Sequence, residues 1–232
     1  MKNKLFGLLL LAFITGPLQS QENCSKYYPM KEGSFFEYTM YDKKGKTEGV
    51  TSYTISEVST DGGATSATFD LTFTDKKGKE VYNSDYTIQC SGDGISIDYK
   101  SLFPAQMMKQ YEDMGLEMDI SGTDIQLPND LSVGKELDDA NISVAMKMSG
   151  MKMNISVDQT NRKVEKKESI TTPAGTFECY VITETASSTT MGATRETVNK
   201  LWLAEGVGMI KQESYKQNGS LLNQMELTSL KQ

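Results

Sequence analysis

Methionines separated by one residue are the most distinctive chemical feature of this sequence. Thirteen of its fourteen methionines follow residue 20, and four of them form two Met-x-Met motifs, Met146/Met148 and Met151/Met153. Polarisable thioether sulfur suits soft Cu(I), although such sites usually recruit further Met, His or Cys ligands. Methionine also packs as an adaptable side chain in cores and on apolar binding surfaces. Three interpretations stay open: a closed core, a groove for an acyl chain, and a Cu(I) site.

The chain contains no histidine. This excludes Ser-His-Asp and Cys-His catalysis, the usual general base and the commonest zinc ligand. No glycine-rich phosphate loop, Cys-x-x-Cys pair or nucleophile elbow is present either. The acidic pairs Glu112-Asp113 and Asp138-Asp139 lack calcium-loop spacing, and adjacent acids on an acidic protein usually form a solvated face. We therefore expect no enzymatic activity and no cofactor.

The first twenty residues have the layout of a secretory signal peptide. Lys2 and Lys4 precede an apolar run over residues 5–14, and Ser20 supplies a small residue for cleavage nearby. The run is shorter than a membrane-spanning helix, and no later stretch reaches roughly 18 apolar residues. The sequence predicts a leader over 1–20 and a periplasmic or secreted protein without a transmembrane segment. Cys24 follows Gln-Glu-Asn, which argues against its lipidation.

The mature chain is strongly acidic. Loss of the leader, with its two lysines, changes the formal charge from −7 to −9. Such a surface repels phosphate backbones and anionic headgroups. We therefore expect no nucleic-acid partner and no bulk electrostatic attraction to membranes.

Three cysteines, Cys24, Cys90 and Cys179, enter an oxidising compartment if the leader is used. One disulfide with one thiol left over is the natural expectation, with Cys24 and Cys90 as the favoured pair. The alternative is three buried thiols that serve as small apolar side chains.

Alternation at period two, broken by glycine-containing turns, runs through most of residues 21–232. The motif Asp-Lys-Lys-Gly-Lys occurs at 42–46 and again at 75–79, which indicates two hairpins of the same design. No linker interrupts the pattern. The sequence predicts one mostly β domain over 21–232, built as a single strongly curved antiparallel sheet.

One hairpin carries the methionine motifs. A two-residue turn at Ser149-Gly150 would place Met148 opposite Met151 and Met146 opposite Met153. Eight apolar side chains would then share one strip. They are Ile142, Val144, Met146, Met148, Met151, Met153, Ile155 and Val157.

Residues 102–114 are patterned differently. Phe103, Met107, Tyr111 and Met114 fall on one helical stripe, and Pro104 suits a first helical turn. We predict one short amphipathic helix here. Its apolar face needs cover, which the open face of the curved sheet can provide.

Three sequence blocks resemble a group of secreted Gram-negative proteins called TapB-like. They are residues 28–38 (YPMKEGSFFEY), 172–179 (TPAGTFEC) and 202–211 (from Trp202 through GVGMIK). The group has no established activity, so the resemblance implies no catalytic residues. The architecture is more distantly similar to the half-open barrels of LolA-type lipoprotein carriers, in which helices cover a curved sheet around an apolar cavity. This chain departs from that pattern by having one predicted helix where those carriers have several.

Together these features predict an exported, non-enzymatic binding module for a lipid or other apolar molecule. The predicted lining residues are Met107, Tyr111, Met146, Met148, Met151 and Met153. The competing class is a structural or surface-interaction protein with a filled core and no ligand.

Overall fold

Thirteen antiparallel strands form one sheet in the computed structural model, which describes residues 24–98, 113, 115–148 and 151–232. The first seven are β1 (Phe35–Asp42), β2 (Thr47–Asp61), β3 (Ala64–Asp75), β4 (Glu80–Ser91), β5 (Gly94–Ile97), β6 (Glu117–Gly122) and β7 (Ile125–Pro128). The others are β8 (Ala140–Met148), β9 (Met151–Thr172), β10 (Gly175–Thr190), β11 (Ala193–Ala204), β12 (Gly208–Lys216) and β13 (Leu221–Lys231). Their order across the sheet is β6-β8-β9-β10-β11-β12-β13-β1-β2-β3-β4-β5-β7, and every neighbouring pair is antiparallel. The predicted mostly β, antiparallel class is confirmed.

The repeated Asp-Lys-Lys-Gly-Lys motif forms two matching turns. In the β1–β2 turn, Asp42 Oδ1 accepts hydrogen bonds from the backbone N–H of Lys44 (2.8 Å) and Lys46 (2.9 Å). Asp75 does the same in the β3–β4 turn for Lys77 (2.8 Å) and Lys79 (3.0 Å). The aspartate side chain thus satisfies turn N–H groups that have no strand partner. The expectation of two hairpins of one design is confirmed.

Strand β9 is longer than the sequence pattern indicates. The pattern predicts one strand ending at Val157 and another starting near Arg162, but β9 runs unbroken through both. Its pairing with β10 shifts register between Thr183 and Thr185, and Asn161 has a positive φ of 54°. A bulge of this kind adds an unpaired residue and interrupts the alternation while the strand continues.

The sheet curls strongly. Contacts between strands that are far apart in the sheet order show this curl. Arg162 of β9 donates a hydrogen bond from Nη2 to the carbonyl oxygen of Gln126 in β7, at 3.4 Å. Just beyond β7, Glu136 pairs with Lys163 as an isolated antiparallel bridge. The curl does not close the described sheet, in which β6 and β7 remain the two edge strands.

The main core draws on both halves of the curled sheet and on the segment before β1. Its fully buried members include Ile55 and Ile88 from one half, Leu203 and Ile210 from the other. Tyr27, only 1% exposed, lies edge-on to Tyr180 with ring centroids 6.3 Å apart. The segment before β1 therefore fills space between strands that do not touch directly.

Asn129, which follows β7, is hydrogen-bonded to the segment before β1. Its Nδ2 donates to the carbonyl oxygen of Cys24 (2.7 Å), and its Oδ1 accepts from Lys26 N (2.8 Å). On the other side, Gly206 N donates to the carbonyl oxygen of Lys26 at 2.9 Å. The segment thus connects the β7 edge to the β11–β12 turn.

The predicted helix at 102–114 lies outside the described residues, apart from Asp113. Elsewhere in the described chain, every regular element is a strand. The helical cover for the sheet therefore stays a prediction.

Candidate functional site

The methionine hairpin has the predicted register. Met146 of β8 lies opposite Met153 of β9, and Met148 lies opposite Met151. Strand β6 adds Met118, which lies opposite Met146 on its other side. Since directly opposed residues on neighbouring strands project from the same face, Met118, Met146 and Met153 form a row across three strands.

The row belongs to a larger apolar surface, which we call the methionine strip. Its described members are Met118, Ile120, Ile142, Val144, Met146, Met153, Ile155 and Val157. Val144 is buried and the others are partly buried. None of them belongs to the main core or packs against it. The strip is therefore a second apolar region, which lies on the same sheet face as Val164 and Ile182 but does not pack against the main core.

Two strip residues could not be assigned from sequence. Met118 and Ile120 alternate with Glu117 and Asp119, but six residues are too few to identify a partner strand. Pairing of β6 with β8 places them on the strip. Among the predicted lining residues, Met107 and Tyr111 lie outside the described residues. The side chains of Met148 and Met151 also lie outside the description, although their backbone pairing is defined.

The acidic pairs noted in the sequence form no metal cluster among the described residues. Asp138 and Asp139 are both exposed in the segment between β7 and β8, and Glu112 lies outside the described residues. Across the described ranges, no group of three or more Cys, Asp or Glu side chains could hold a metal ion. Thioether ligation of Cu(I) by the methionines stays a prediction.

The cysteines divide into one pair and one thiol. Cys24 and Cys90 are joined by a disulfide, with Cα atoms 5.8 Å apart. Cys179 is free and has no exposed surface. Burial, with smaller contributions from Glu178 and Glu168, raises the pKa of the Cys179 thiol to about 12. The thiol is therefore protonated at neutral pH and is a poor nucleophile.

A buried ion pair is the main polar feature that sequence reasoning missed. Arg162 is 6% exposed, and its Nε lies 3.6 Å from Glu184 Oε2. Its guanidinium also donates to the carbonyl oxygens of Asp138 and Gln126. Asn199 Nδ2 donates to the second carboxylate oxygen of Glu184 at 3.1 Å. These contacts tie β7 and the following segment to β9.

Two open depressions lie beside this ion pair. One, of about 410 Å³, is lined by parts of the β4–β5 turn, β7 and residues 135–138, and the other, of about 320 Å³, includes Arg162 and Asn161. Both are lined largely by polar and charged groups. They lack the apolar walls with a few convergent polar groups that are typical of small-molecule pockets.

Aromatic side chains enclose a small cavity of about 60 Å³ within the curl. Its lining is Tyr28, Phe36, Tyr38, Tyr53, Phe69, Tyr86, Val207 and Met209. Ring centroids of Tyr53 lie 5.6 Å from Tyr38 and 6.0 Å from Tyr86, both edge-to-face. Since ligand pockets usually measure roughly 300–1,000 Å³, this space is too small for a lipid chain. It is a small gap between packed aromatic side chains.

The fold and site define an antiparallel, single-sheet β protein with one main core and an apolar strip that does not pack against it. Within the described ranges, no helix is long and apolar enough to cross a membrane. The chain belongs to the DUF3108-like family, whose model matches residues 31–227. No curated protein matches it.

Two solved structures are similar over nearly the whole chain. One is described as an exported protein with a YmcC-like fold from Bacteroides fragilis, with 21% identity and a TM-score of 0.69. The other is described as a lipoprotein from Parabacteroides distasonis, with 25% identity and a TM-score of 0.70. Each match covers 90% of this chain and 100% of the other. These matches support a YmcC-like fold and lend no support to the LolA-like architecture or the TapB-like label.

Proposed function

We propose that this protein is an exported, non-enzymatic binding module that holds an apolar molecule, such as a lipid acyl chain, on the methionine strip. The observation that carries the proposal is the separation of the strip from the main core. Seven of its eight described residues keep part of their surface accessible. A continuous, partly exposed apolar surface of this kind usually marks an interaction site. The predicted helix at 102–114 would cover the strip and give the half-open barrel its lid.

Export is supported by three independent features. The N-terminal residues have a leader layout, and the Cys24–Cys90 disulfide suits an oxidising compartment. The two similar solved structures are described as an exported protein and a lipoprotein. We propose cleavage near Ser20 and residence in the periplasm or outside the cell. Cys24 would then remain in the mature chain as a disulfide partner.

The second candidate is a structural or surface-interaction protein without a small ligand. It is favoured by the aromatic cavity, whose volume of about 60 Å³ leaves no room for a lipid in the main core. In that case the strip would be closed entirely by the chain itself.

Native mass spectrometry of the exported protein separates the two candidates. We expect co-purified lipid in the wild type and its loss in Met146→Asn/Met153→Asn, because two polar amides would interrupt the row. The matched control is Ser143→Asn/Ser156→Asn, a directly opposed pair on the other face of the same two strands. Ligand-free mass in repeated wild-type preparations, or equal loss in the control, would count against apolar binding.

The Cu(I) hypothesis has its own test. Met146→Leu/Met153→Leu keeps the apolar surface but removes two thioethers. If Cu(I) binds the strip, a bathocuproine competition titration will detect binding in the wild type and none in this variant. Unchanged binding would exclude these sulfurs as ligands.

A further inference from the structure

The two ends of the sheet carry different charges. From β8 to β4 in the sheet order, neighbouring strands are antiparallel and, except for β13 and β1, are joined by short turns. The β8–β9, β10–β11, β12–β13, β1–β2 and β3–β4 turns therefore all lie at one end. We call this the lysine-rich end. Its lysines are Lys43, Lys44, Lys46, Lys76, Lys77, Lys79, Lys147, Lys152 and Lys216, and all nine are exposed.

The opposite end has no matching positive charge in its turns. The β2–β3, β4–β5, β9–β10 and β11–β12 turns contain neither lysine nor arginine, and Asp61, Asp93 and Glu205 lie there. Lysines outside these turns do lie at the opposite end, where Lys26 pairs with Glu205 at 3.0 Å, so the contrast in charge concerns the turns themselves.

The lysines of this end are free to meet an external anion. Within the described chain, none of the nine forms a salt bridge. Lys147 lies directly opposite Lys152 on β9, a like-charge pair, and directly opposite Glu117 on β6, an opposite-charge pair. Six carboxylates occur near the same turns, namely Asp42, Glu48, Asp75, Glu80, Glu117 and Glu196. The end is still positive overall, and Asp42 and Asp75 already accept turn N–H groups.

The six lysines of the β1–β2 and β3–β4 turns lie close enough together to form one positively charged patch. The β1–β2 and β3–β4 turns are two strands apart, which is about 10 Å at the usual strand spacing. Screening at physiological salt has a length of about 8 Å, so a surface touching this end responds to the local lysines more than to distant carboxylates.

Exposed apolar side chains lie at the same end. Four large hydrophobic residues are strongly exposed among the described residues, and three of them are here: Val81 (59%), Tyr82 (38%) and Met191 (78%). Met191 occupies the β10–β11 turn with a positive φ of 51°. Because Thr197 of β11 pairs with Lys216, the last residue of β12, β11 extends four residues beyond the end of β12 before it reaches this turn.

We propose that the lysine-rich end docks on the surface of an anionic lipid bilayer. The lysines would contact headgroup phosphates, while Met191 and the Val81–Tyr82 pair enter the boundary between headgroups and acyl chains. A soluble polyanion such as nucleic acid would use the lysines but leave these apolar side chains without a role. An anionic bilayer offers partners to both kinds of residue. This site is distinct from the methionine strip and does not depend on apolar-ligand binding there.

The test is flotation of the exported protein with vesicles of phosphatidylcholine, alone or with 30% phosphatidylglycerol. We expect binding only to the anionic vesicles and its loss at high salt. The test variant replaces Lys43, Lys44, Lys76 and Lys77 with Gln. The control replaces four exposed lysines outside this end, Lys31, Lys163, Lys167 and Lys231, with Gln.

Each lysine near an anionic surface contributes about a fivefold gain in binding, so loss of four lysines should weaken binding by several hundredfold, roughly 600-fold. The control should lose no more than a few-fold, and Met191→Ser should weaken vesicle binding with the lysines intact. Absence of binding to anionic vesicles would overturn the proposal, as would equal loss in both quadruple variants. Lysine-dependent binding to duplex DNA as tight as to vesicles, with no effect of Met191→Ser, would also overturn it.

Discussion

Arg162 of β9 and Glu184 of β10 form an ion pair from which water is almost excluded. The Nε–Oε2 distance is 3.6 Å, and the side chains are 5% and 17% exposed. Lys200 and Glu165 lie at the same distance, 3.6 Å, but their side chains are 32% and 46% exposed. The two pairs differ mainly in burial, so they provide a matched comparison.

Glu184→Gln should destabilise the protein by about 3 kcal/mol, because it leaves the buried Arg162 charge without its counter-ion. Glu165→Gln should cost less than about 1 kcal/mol, since water already solvates both partners of the exposed pair. Urea unfolding followed by Trp202 fluorescence measures both. Equal midpoints for the two variants would show that the buried pair contributes no more than a surface pair.

Gly208→Ala should be more damaging than Gly206→Ala. Both glycines have positive φ, 94° and 71°, which costs an alanine roughly 1–2 kcal/mol. A Cβ on Gly208 would also lie 2.7 Å from the Tyr28 ring, whereas one on Gly206 meets nothing within 4 Å. The Gly208 variant should therefore lose at least about 1 kcal/mol more in the same unfolding assay. Similar losses would mean that Tyr28 moves aside freely.

Removal of the disulfide should lower stability by about 4 kcal/mol. The link spans 66 residues of sequence, and a loop of that length constrains the unfolded chain strongly. The variant is Cys24→Ala/Cys90→Ala. Its control is Cys179→Ala, which removes a sulfur as fully buried as that of Cys90 but breaks no covalent link.

The control should cost only about 1 kcal/mol, the usual effect of a small buried truncation. Thermal unfolding of both variants, with and without reductant, measures the difference. If reductant leaves the wild-type midpoint unchanged, the disulfide does not contribute as expected.

Stability should fall above pH 10, because burial raises the pKa values of the core tyrosines. Those of Tyr28 and Tyr53 are raised to about 12, and those of Tyr38 and Tyr86 are raised well above the ordinary value of 10. The unfolded chain loses these protons first, so the stabilisation is complete below pH 10 and disappears as pH rises towards the folded values.

Absorbance of tyrosinate at 295 nm should therefore rise together with the loss of near-ultraviolet circular dichroism. Tyr53→Phe/Tyr86→Phe removes two of the buried phenols and should move the alkaline midpoint to higher pH. Tyrosinate formation near pH 10 with the fold intact would contradict this expectation.

Short-range pattern was sufficient to predict the hairpins. The opposition of Met146 and Met153 follows from alternation on either side of a two-residue turn, so the register needs no information from elsewhere in the chain. The same holds for the two Asp-Lys-Lys-Gly-Lys turns, where Asp42 and Asp75 bond to N–H groups two and four residues away. A leader-like N-terminal pattern and a histidine-free composition are equally readable from the linear chain.

Only the tertiary structure decided which distant strands meet. Pairing of β6 with β8 brings Met118 onto the strip, and curling brings Arg162 to the carbonyl oxygen of Gln126, 36 residues away. It also gathers the turn lysines at one end of an acidic protein. Alternation and turn residues act over a few positions and therefore specify each hairpin. The order and curvature of the strands depend on burial summed over the whole sheet, which no local pattern encodes.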